Sequence, residues 1–115
     1  MHVDIRVLID DEATVVEPHG DIDISNQRAF ADVVVPLSQT AGRYVLDLTQ
    51  VGFIDSSGIG VLARLRAELR NRGLPLHVVP SPRVHAALKL AALTGVIGLH
   101  SSVQAARLAQ NDHPQ

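Results

Sequence analysis

The chain contains no cysteine, few aromatic residues and no long apolar segment, and each absence excludes a class of protein. Without cysteine there can be no disulfide, thiolate metal site or cysteine nucleophile, which fits a reducing compartment. With three aromatic residues, aliphatic side chains must fill the core. No apolar run approaches the roughly 20 residues that span a bilayer, and the N-terminal sequence lacks the basic and apolar regions of a signal peptide. We therefore expect a cytoplasmic protein with no membrane segment.

The composition that remains indicates one soluble domain. The 115 residues suffice for one ordinary core and are too few for two, and 46% hydrophobic with 19% charged residues is typical of globular chains. The formal net charge is -2, but residues 1–55 hold ten acidic and three basic side chains, and residues 56–115 hold two and seven. The halves thus carry -7 and +5, an asymmetry that bears on association and not on the fold.

A cluster of arginines raises the question of nucleic-acid binding. The cluster comprises Arg64, Arg66, Arg70 and Arg72. No aromatic residues are interleaved with these arginines, and Glu68 interrupts them. A solvated helix face is the favoured interpretation, so we expect no direct contact with nucleic acid.

The spacing of apolar residues predicts alternating strands and helices. Strands are predicted near residues 3–9, 14–16, 44–48, 76–79 and 96–99. Helices are predicted over 26–35 and 58–72, from Ser81-Pro82 to about Gly95, and after Ser101, which has capping-box spacing with Gln104. Two strands followed by helix–strand repeats predict an α/β domain with parallel, right-handed crossovers.

Single residues in this pattern predict local features. Pro18 cannot donate to a ladder, so the second strand is expected at an edge, at a bulge or shortened. Ser25 is expected to cap the first helix, Pro36 to end or kink it, and Gly73 to stop the second helix. The predicted inward faces are Ala29, Phe30, Val33 and Val34 in the first helix, Gly58, Val61, Leu62, Leu65 and Leu69 in the second, and Val84, Ala87, Leu88 and Ala91 in the third.

The segment FIDSSGIGVL interrupts an apolar run with a carboxylate and two hydroxyls. If a helix begins at Gly58, Ser56 and Ser57 lie at its N-terminus, where a serine can cap and Asp55 is favoured by the helix dipole. Gly58 lies on the inward arc, whereas Gly60 faces outward and costs ~1 kcal/mol relative to alanine. An outward glycine could let a partner's backbone approach. On spacing alone, a purely capping role and a functional role are equally open.

Enzymatic interpretations of this segment lack supporting residues. GIGVLA has the G-x-G-x-x-A form of a dinucleotide site, but no acidic residue follows about 20 positions later. No G-x-S-x-G elbow exists, and nothing places His77, His85 or His100 beside the serines. The histidines form no i, i+4 helical pair that would hold a metal. We therefore expect no catalysis, no cofactor and no metal.

The sequence resembles the STAS domain of bacterial anti-sigma factor antagonists. The specific part is YVLDLTQVGFIDSSGIGVLARL, supported by HGDID before the first helix and SPRVHAALKLAALTGV after the fourth strand. The resemblance implies a single STAS-like α/β domain over residues 1–110, with a mixed sheet of about five strands and about four helices. Residues 111–115 are expected to form a flexible tail.

The resemblance also implies a phosphorylation switch at Ser56. In this family the serine after the aspartate is phosphorylated by a partner anti-sigma factor, an ATP-using serine kinase, and a serine phosphatase resets it. The unphosphorylated antagonist binds the anti-sigma factor and frees the sigma factor. A noncatalytic STAS scaffold of the stressosome type, or a transporter-associated STAS subunit whose serines only cap the helix, is the alternative. The implied partner-binding residues are Asp21, Asp23, Asp55, Ser56, Ser57, Gly58, Ile59 and Gly60.

Overall fold

The structure, a computed structural model, describes residues 3–112. Within them, five strands alternate with four helices after an initial hairpin. The elements are β1 (Asp4–Ile9), β2 (Thr14–His19), α1 (Gln27–Leu37), β3 (Tyr44–Leu48), α2 (Ser56–Arg70), β4 (His77–Pro80), α3 (Pro82–Leu90), β5 (Gly98–Leu99) and α4 (Val103–Leu108). This count and order confirm the predicted α/β class.

The five strands form one mixed sheet whose order in space is the order in sequence, β1-β2-β3-β4-β5. The β1–β2 pair is antiparallel and the other three pairs are parallel. Parallel neighbours need crossovers, and α1, α2 and α3 provide them. The main core lies between these helices and one sheet face, and α4 covers β3 and β4 on the other face with a smaller cluster around Ala106.

Strand β2 corrects the prediction made from Pro18. The strand runs to His19 and has neighbours on both sides, so it is not an edge strand. The Thr14 N–H donates to the Arg43 carbonyl, which shows that even-numbered residues of β2 turn their N–H toward β3. Pro18 is therefore the even-numbered position that lacks a donor toward β3, and the β2–β3 ladder ends before it at Val16, although the Gly20 N–H again donates across, to the Gln50 carbonyl. The proline shortens the pairing with β3, as one of the predicted alternatives had it, while the pairing with β1 continues to His19.

Helix α1 begins one residue later than a Ser25 cap would require. Asn26 is the cap residue, and the Ser25 hydroxyl instead donates to Asp23 Oδ1. The helix continues through Pro36 and ends at Leu37, two residues beyond the predicted end. Its buried face comprises Phe30, Ala31, Val34 and Val35. Of the residues predicted to face inward, Ala29 is only half-buried and Val33 is exposed, so the prediction for Val33 is wrong.

The second half of the chain is shorter in its regular elements than predicted. Ser81 caps α3 as expected, but the helix ends at Leu90, so Ala91 is exposed. The chain then turns through Ala92, whose φ is 59°, and strand β5 begins only at Gly98. Ser102, not Ser101, caps α4 by accepting a hydrogen bond from the Ala105 N–H.

The predicted tail of residues 111–115 is described only in part. Asn111 Nδ2 donates to the Gly42 carbonyl at 2.7 Å, and its Oδ1 lies 3.0 Å from His77 Nε2. Residues 113–115 lie outside the described range, as do residues 1–2.

Candidate functional site

The candidate site lies where β3 leads into α2, beyond the carboxyl end of the parallel strand. The helix begins at Ser56, two residues earlier than predicted, and its five predicted inward residues are all buried. It ends at Arg70, and Gly73, with φ of 76°, donates its N–H to the Arg70 carbonyl. The apolar spacing therefore predicted correctly which face of α2 is buried, although the helix begins earlier than predicted, within the polar segment.

Asp55, rather than either serine, caps α2. Its Oδ1 accepts hydrogen bonds from the Ser57 N–H at 2.9 Å, the Gly58 N–H at 3.1 Å and the Ser57 hydroxyl at 2.5 Å. Its Oδ2 accepts from the Ile24 N–H at 3.1 Å. One carboxylate therefore satisfies the helix N-terminus and also fastens a distant loop to it.

This hydrogen bonding favours the charged form of Asp55. The Ser57 hydroxyl contributes most to lowering the pKa of the Asp55 carboxyl below its usual range, and the backbone N–H groups of Gly58, Ile24 and Ser57 lower it further. Partial burial opposes the shift without reversing it. Asp55 is thus a stable negative charge beside Ser56 at neutral pH.

The loop after β2 is held against the same corner by its backbone. Ile22 is buried and forms an isolated parallel bridge with Ile54. The Ile22 N–H donates to the Phe53 carbonyl at 2.9 Å, and the Asp55 N–H donates to the Ile22 carbonyl at 3.1 Å. These contacts bring residues 21–24 alongside the start of α2.

Asp21 and Asp23 flank Ile22 and therefore lie at this corner, as the sequence predicted. Asp23 Oδ1 accepts from both the N–H and the hydroxyl of Ser25, at 2.9 and 2.5 Å, so one of its oxygens has a structural role. Asp21 is exposed. Asp21, Asp23 and Asp55 make the corner acidic.

The two serines differ in what their hydroxyls contact. The Ser57 hydroxyl is bonded to Asp55, whereas the Ser56 side chain is exposed and its hydroxyl has no hydrogen-bond partner within residues 3–112. The Ser56 hydroxyl is therefore the more accessible of the two to another molecule.

The two glycines of the first turns also differ, as their spacing predicted. A Cβ on Gly58 would lie 2.6 Å from Ile54 Cγ1 and 2.9 Å from Ile22 Cγ2, so only glycine allows this close approach. A Cβ on Gly60 would meet no atom within 4 Å in the described structure. Gly58 is required by packing, and Gly60 leaves an open surface next to Ser56.

Two exposed apolar residues at this corner were missed from sequence. Ile24 is 78% exposed and Phe53 is 47% exposed. The apolar pattern gave no signal for Ile24, because buried Ile22 lies two residues before it and strand alternation would place both side chains on the same side. The corner therefore presents apolar side chains together with its carboxylates and the Ser56 hydroxyl.

The histidines considered for catalysis lie elsewhere. His77 opens β4 and pairs in register with Val45 near the start of β3, so it lies at the opposite end of the sheet from Ser56. His77 Nδ1 is 3.0 Å from His100 Nε2, and His85 is exposed on α3. Within residues 3–112 no histidine forms a hydrogen bond with Ser56, and His19, at the end of β2, pairs with Glu17. The same residues hold no cluster of three His, Cys, Asp or Glu side chains suited to a metal ion. Nor does that part of the chain contain a helix long and apolar enough to cross a membrane.

Comparisons with known proteins agree with this architecture. The sequence model of the STAS domain matches residues 4–106. An anti-sigma factor antagonist from Mycobacterium paratuberculosis superposes with a TM-score of 0.81 at 24% identity, covering 91% of each chain. The Bacillus cell fate determinant SpoIIAA in its phosphorylated form gives 0.64 at 16% identity, covering 90% of this chain and 96% of the other. At these identities the two structures establish the fold alone.

One curated relative is longer than this chain. Osmosensory protein A of Mycobacterium tuberculosis (strain ATCC 25618 / H37Rv) is 32% identical over 80 residues, which are 70% of this chain and 51% of that protein. The chain therefore spans about half the length of this relative.

Proposed function

The chain belongs to the STAS domain family, and from that premise we propose that it is an anti-sigma factor antagonist switched by phosphorylation of Ser56. In the unphosphorylated state it binds a kinase-type anti-sigma factor, which releases the sigma factor for transcription. Phosphorylation ends this binding, and a serine phosphatase restores it. The chain itself contributes a surface and a phosphoacceptor rather than catalysis, and acts in the cytoplasm with no direct contact to nucleic acid.

The observation that carries the proposal is the free Ser56 hydroxyl in the first turn of α2. Asp55 already satisfies the helix N-terminus, and the Ser57 hydroxyl is bound to it. A structural role as a cap is therefore filled without Ser56. An exposed hydroxyl on a rigid, capped helix end is a well-positioned substrate for a kinase.

The proposed reaction is a phosphoryl transfer from ATP. The Ser56 oxygen forms a bond to the γ-phosphorus, the bond between that phosphorus and the β–γ bridging oxygen breaks, and ADP leaves. A base of the kinase accepts the hydroxyl proton. Hydrolysis by the phosphatase returns inorganic phosphate and the free hydroxyl.

The phosphate should change binding without unfolding the domain. It adds roughly -1.5 to -2 charge at a helix N-terminus, where the dipole favours an anion. The side chain points into solvent, so no packed atom has to move. The same charge stands beside the ionised Asp55, and near Asp21 and Asp23. A partner surface suited to a neutral hydroxyl would then meet a larger, dianionic group.

We propose that the partner docks on the whole corner. Asp21 and Asp23 offer carboxylates to basic groups, and the open surface over Gly60 and half-buried Ile59 allows a partner backbone to approach. Exposed Ile24 and Phe53 add apolar contact. Asp55, Ser57 and Gly58 also belong to the proposed contact surface, where their main role is to hold the other groups in position.

The direct test is phosphate mapping after incubation with a candidate kinase-type anti-sigma factor and ATP. Mass spectrometry should locate phosphate on Ser56, and Ser56→Ala should abolish it while leaving partner binding intact. Ser57→Ala is the matched control, because it alters the adjacent hydroxyl and should still accept phosphate at Ser56. Phosphate on Ser57 in the native chain, or no phosphate with the cognate kinase, would refute the switch. Partner binding without phosphorylation would instead favour a scaffold role.

A further inference from the structure

The first strand of the sheet has an open edge. Strand β1 lies at one end of the strand order, so within residues 3–112 no strand pairs with its outer side. The Thr14 N–H faces β3, so the odd-numbered residues of β2 direct their backbone N–H and carbonyl groups toward β1. The hydrogen bond from the Asp10 N–H to the Ala13 carbonyl agrees with this. In the register of the hairpin, even-numbered residues of β1 therefore bond to β2. Ile5, Val7 and Ile9 turn their N–H and carbonyl groups outward.

The side chains along this edge are apolar and accessible. Val7 is 42% exposed, and Leu8 and Ile9 are each 62% exposed. Natural edge strands are commonly protected by charge, proline or a bulge, and the segment 7–9 has none of these. A continuous strand edge with exposed apolar residues on both faces is suited to pairing with another strand.

Charge selects a second copy of this chain as the occupant. Arg6 lies just before the apolar segment, and the acidic turn of Asp10, Asp11 and Glu12 lies just after it. Arg107 is the cation that pairs with this turn, through Asp10 at 2.7 Å and Glu12 at 3.7 Å. The turn keeps an excess of negative charge, and Asp10 remains 41% exposed. An antiparallel copy would bring its own Arg6 to this turn.

We propose that β1 pairs antiparallel with β1 of a second copy, with Leu8 facing Leu8 across the twofold axis. This register sets Val7 opposite Ile9 and Arg6 opposite Asp10 of the second copy. Val7 and Ile9 carry the outward N–H and carbonyl groups, so the two symmetric pairs exchange four hydrogen bonds. Moving the axis to Arg6 would oppose two arginines, and moving it to Val7 would oppose Asp4 and Asp10. In the proposed register the position opposite Asp4 is Glu12, but the chain has already left the strand there, in the turn closed by the Asp10 N–H and the Ala13 carbonyl. The product is one continuous sheet of ten strands.

The paired edge leaves the Ser56 corner free. Leu8 lies across from Val15, near the start of β2, whereas the loop that docks on α2 follows the end of β2. Each copy could therefore bind its own partner, and the inference does not depend on the function proposed for Ser56.

The absence of cysteine makes the register directly testable by disulfide formation. Facing residues in a non-hydrogen-bonded antiparallel pair have Cα atoms about 4.5 Å apart, a separation that a disulfide can bridge. Leu8→Cys should therefore form a covalent dimer under mild oxidation. Arg6→Cys lies on the same strand and face but is displaced from the axis, and Leu90→Cys changes a leucine that is 91% exposed on α3. Both should crosslink at least tenfold more slowly.

Sedimentation of the cysteine-free chain provides the second measurement. The native chain should show a concentration-dependent monomer–dimer equilibrium. Leu8→Lys, which opposes two lysines across the axis, should raise the dissociation constant at least tenfold, while Leu90→Lys leaves it unchanged. A native chain that stays monomeric at all concentrations would overturn the proposal and assign the edge to another occupant. Crosslinking of Arg6→Cys as fast as Leu8→Cys would overturn it as well.

Discussion

Replacing Gly58 by alanine should destabilise the protein, although alanine is the better helix former. The substitution gains about 1 kcal/mol in helix propensity. It also places a Cβ 2.6 Å from Ile54 Cγ1 and 2.9 Å from Ile22 Cγ2. Both isoleucines are buried and both lie at the bridge that fastens the loop to α2, so neither can withdraw freely. Overpacking of this kind costs typically about 1–3 kcal/mol, so the net loss should reach up to about 2 kcal/mol.

Gly60→Ala is the matched control for this prediction. It lies two residues along the same helix and its Cβ would meet nothing within 4 Å in the described structure. It should therefore keep the propensity gain and stabilise the protein by about 0.5–1 kcal/mol. The two variants thus have opposite signs although the chemical change is identical.

Urea denaturation followed by circular dichroism measures both effects. The midpoint should fall for Gly58→Ala and rise for Gly60→Ala at an unchanged m-value, and thermal midpoints should move by about 4 °C for each kcal/mol. A Gly58→Ala protein that is stabilised to the same extent as Gly60→Ala would refute the close packing of α2 on Ile22 and Ile54. A destabilising Gly60→Ala would refute the open surface at that position.

Three further substitutions test other parts of the account. Asp55→Asn should lower the urea midpoint at neutral pH. Because the pKa of Asp55 is lowered in the folded state, the stability that its carboxylate contributes is present above about pH 4 and is lost as pH falls. The stability of the variant should therefore depend less steeply on pH in acid than that of the native protein. An unchanged acid dependence would contradict the cap. Tyr44→Phe removes a buried hydroxyl that donates to the Val34 carbonyl at 2.7 Å and should cost about 1–2 kcal/mol in chemical denaturation; no loss would contradict that bond. Burial lowers the pKa of His77 most, the neighbouring His100 and Arg43 lower it further, and a hydrogen bond to the Asn111 side-chain oxygen opposes the shift. Because the unfolded chain then takes up the proton more readily, stability should decline as pH falls below about 6.5. His77→Gln should flatten this decline in denaturation curves from about pH 7 to 5, and an identical slope would refute this origin of the pH dependence.

The elements with strong apolar periodicity could be predicted from the sequence. The inward arc of α2 agreed at every position, and β3 agreed at both ends, because burial on one face or on both dictates the residue types there. Ser81 and Pro82 likewise identified the start of α3, since a capping hydroxyl followed by proline is a local signal.

Features that depend on distant contacts could not be predicted in this way. Asp55 was assigned a supporting role at the helix end, but it is the cap, and its second oxygen bonds to Ile24 31 residues away. Pro18 predicts an edge, a bulge or a shortened strand, and only the pairing on each side of β2 shows that the ladder with β3 is the part that is shortened.

The candidate site likewise has features that the sequence predicts and features that depend on distant contacts. The sequence pattern identified Asp55, Ser56, Ser57 and the packing role of Gly58, because they form one contiguous segment. The different status of the two hydroxyls depends on which of them Asp55 accepts, and this emerges only from the three-dimensional arrangement. The exposure of Ile24 and Phe53 was equally hidden, because their burial depends on what covers the corner.

The central claim is that the charge on Ser56 controls binding of the anti-sigma factor. The most direct measurement is the affinity of one purified partner for the unphosphorylated chain and for the same chain phosphorylated stoichiometrically on Ser56, by calorimetry with ATP removed. We expect phosphorylation to weaken binding by at least about tenfold, or ~1.4 kcal/mol, while the circular dichroism spectrum remains unchanged. Equal affinity of the two forms, each folded, would contradict it.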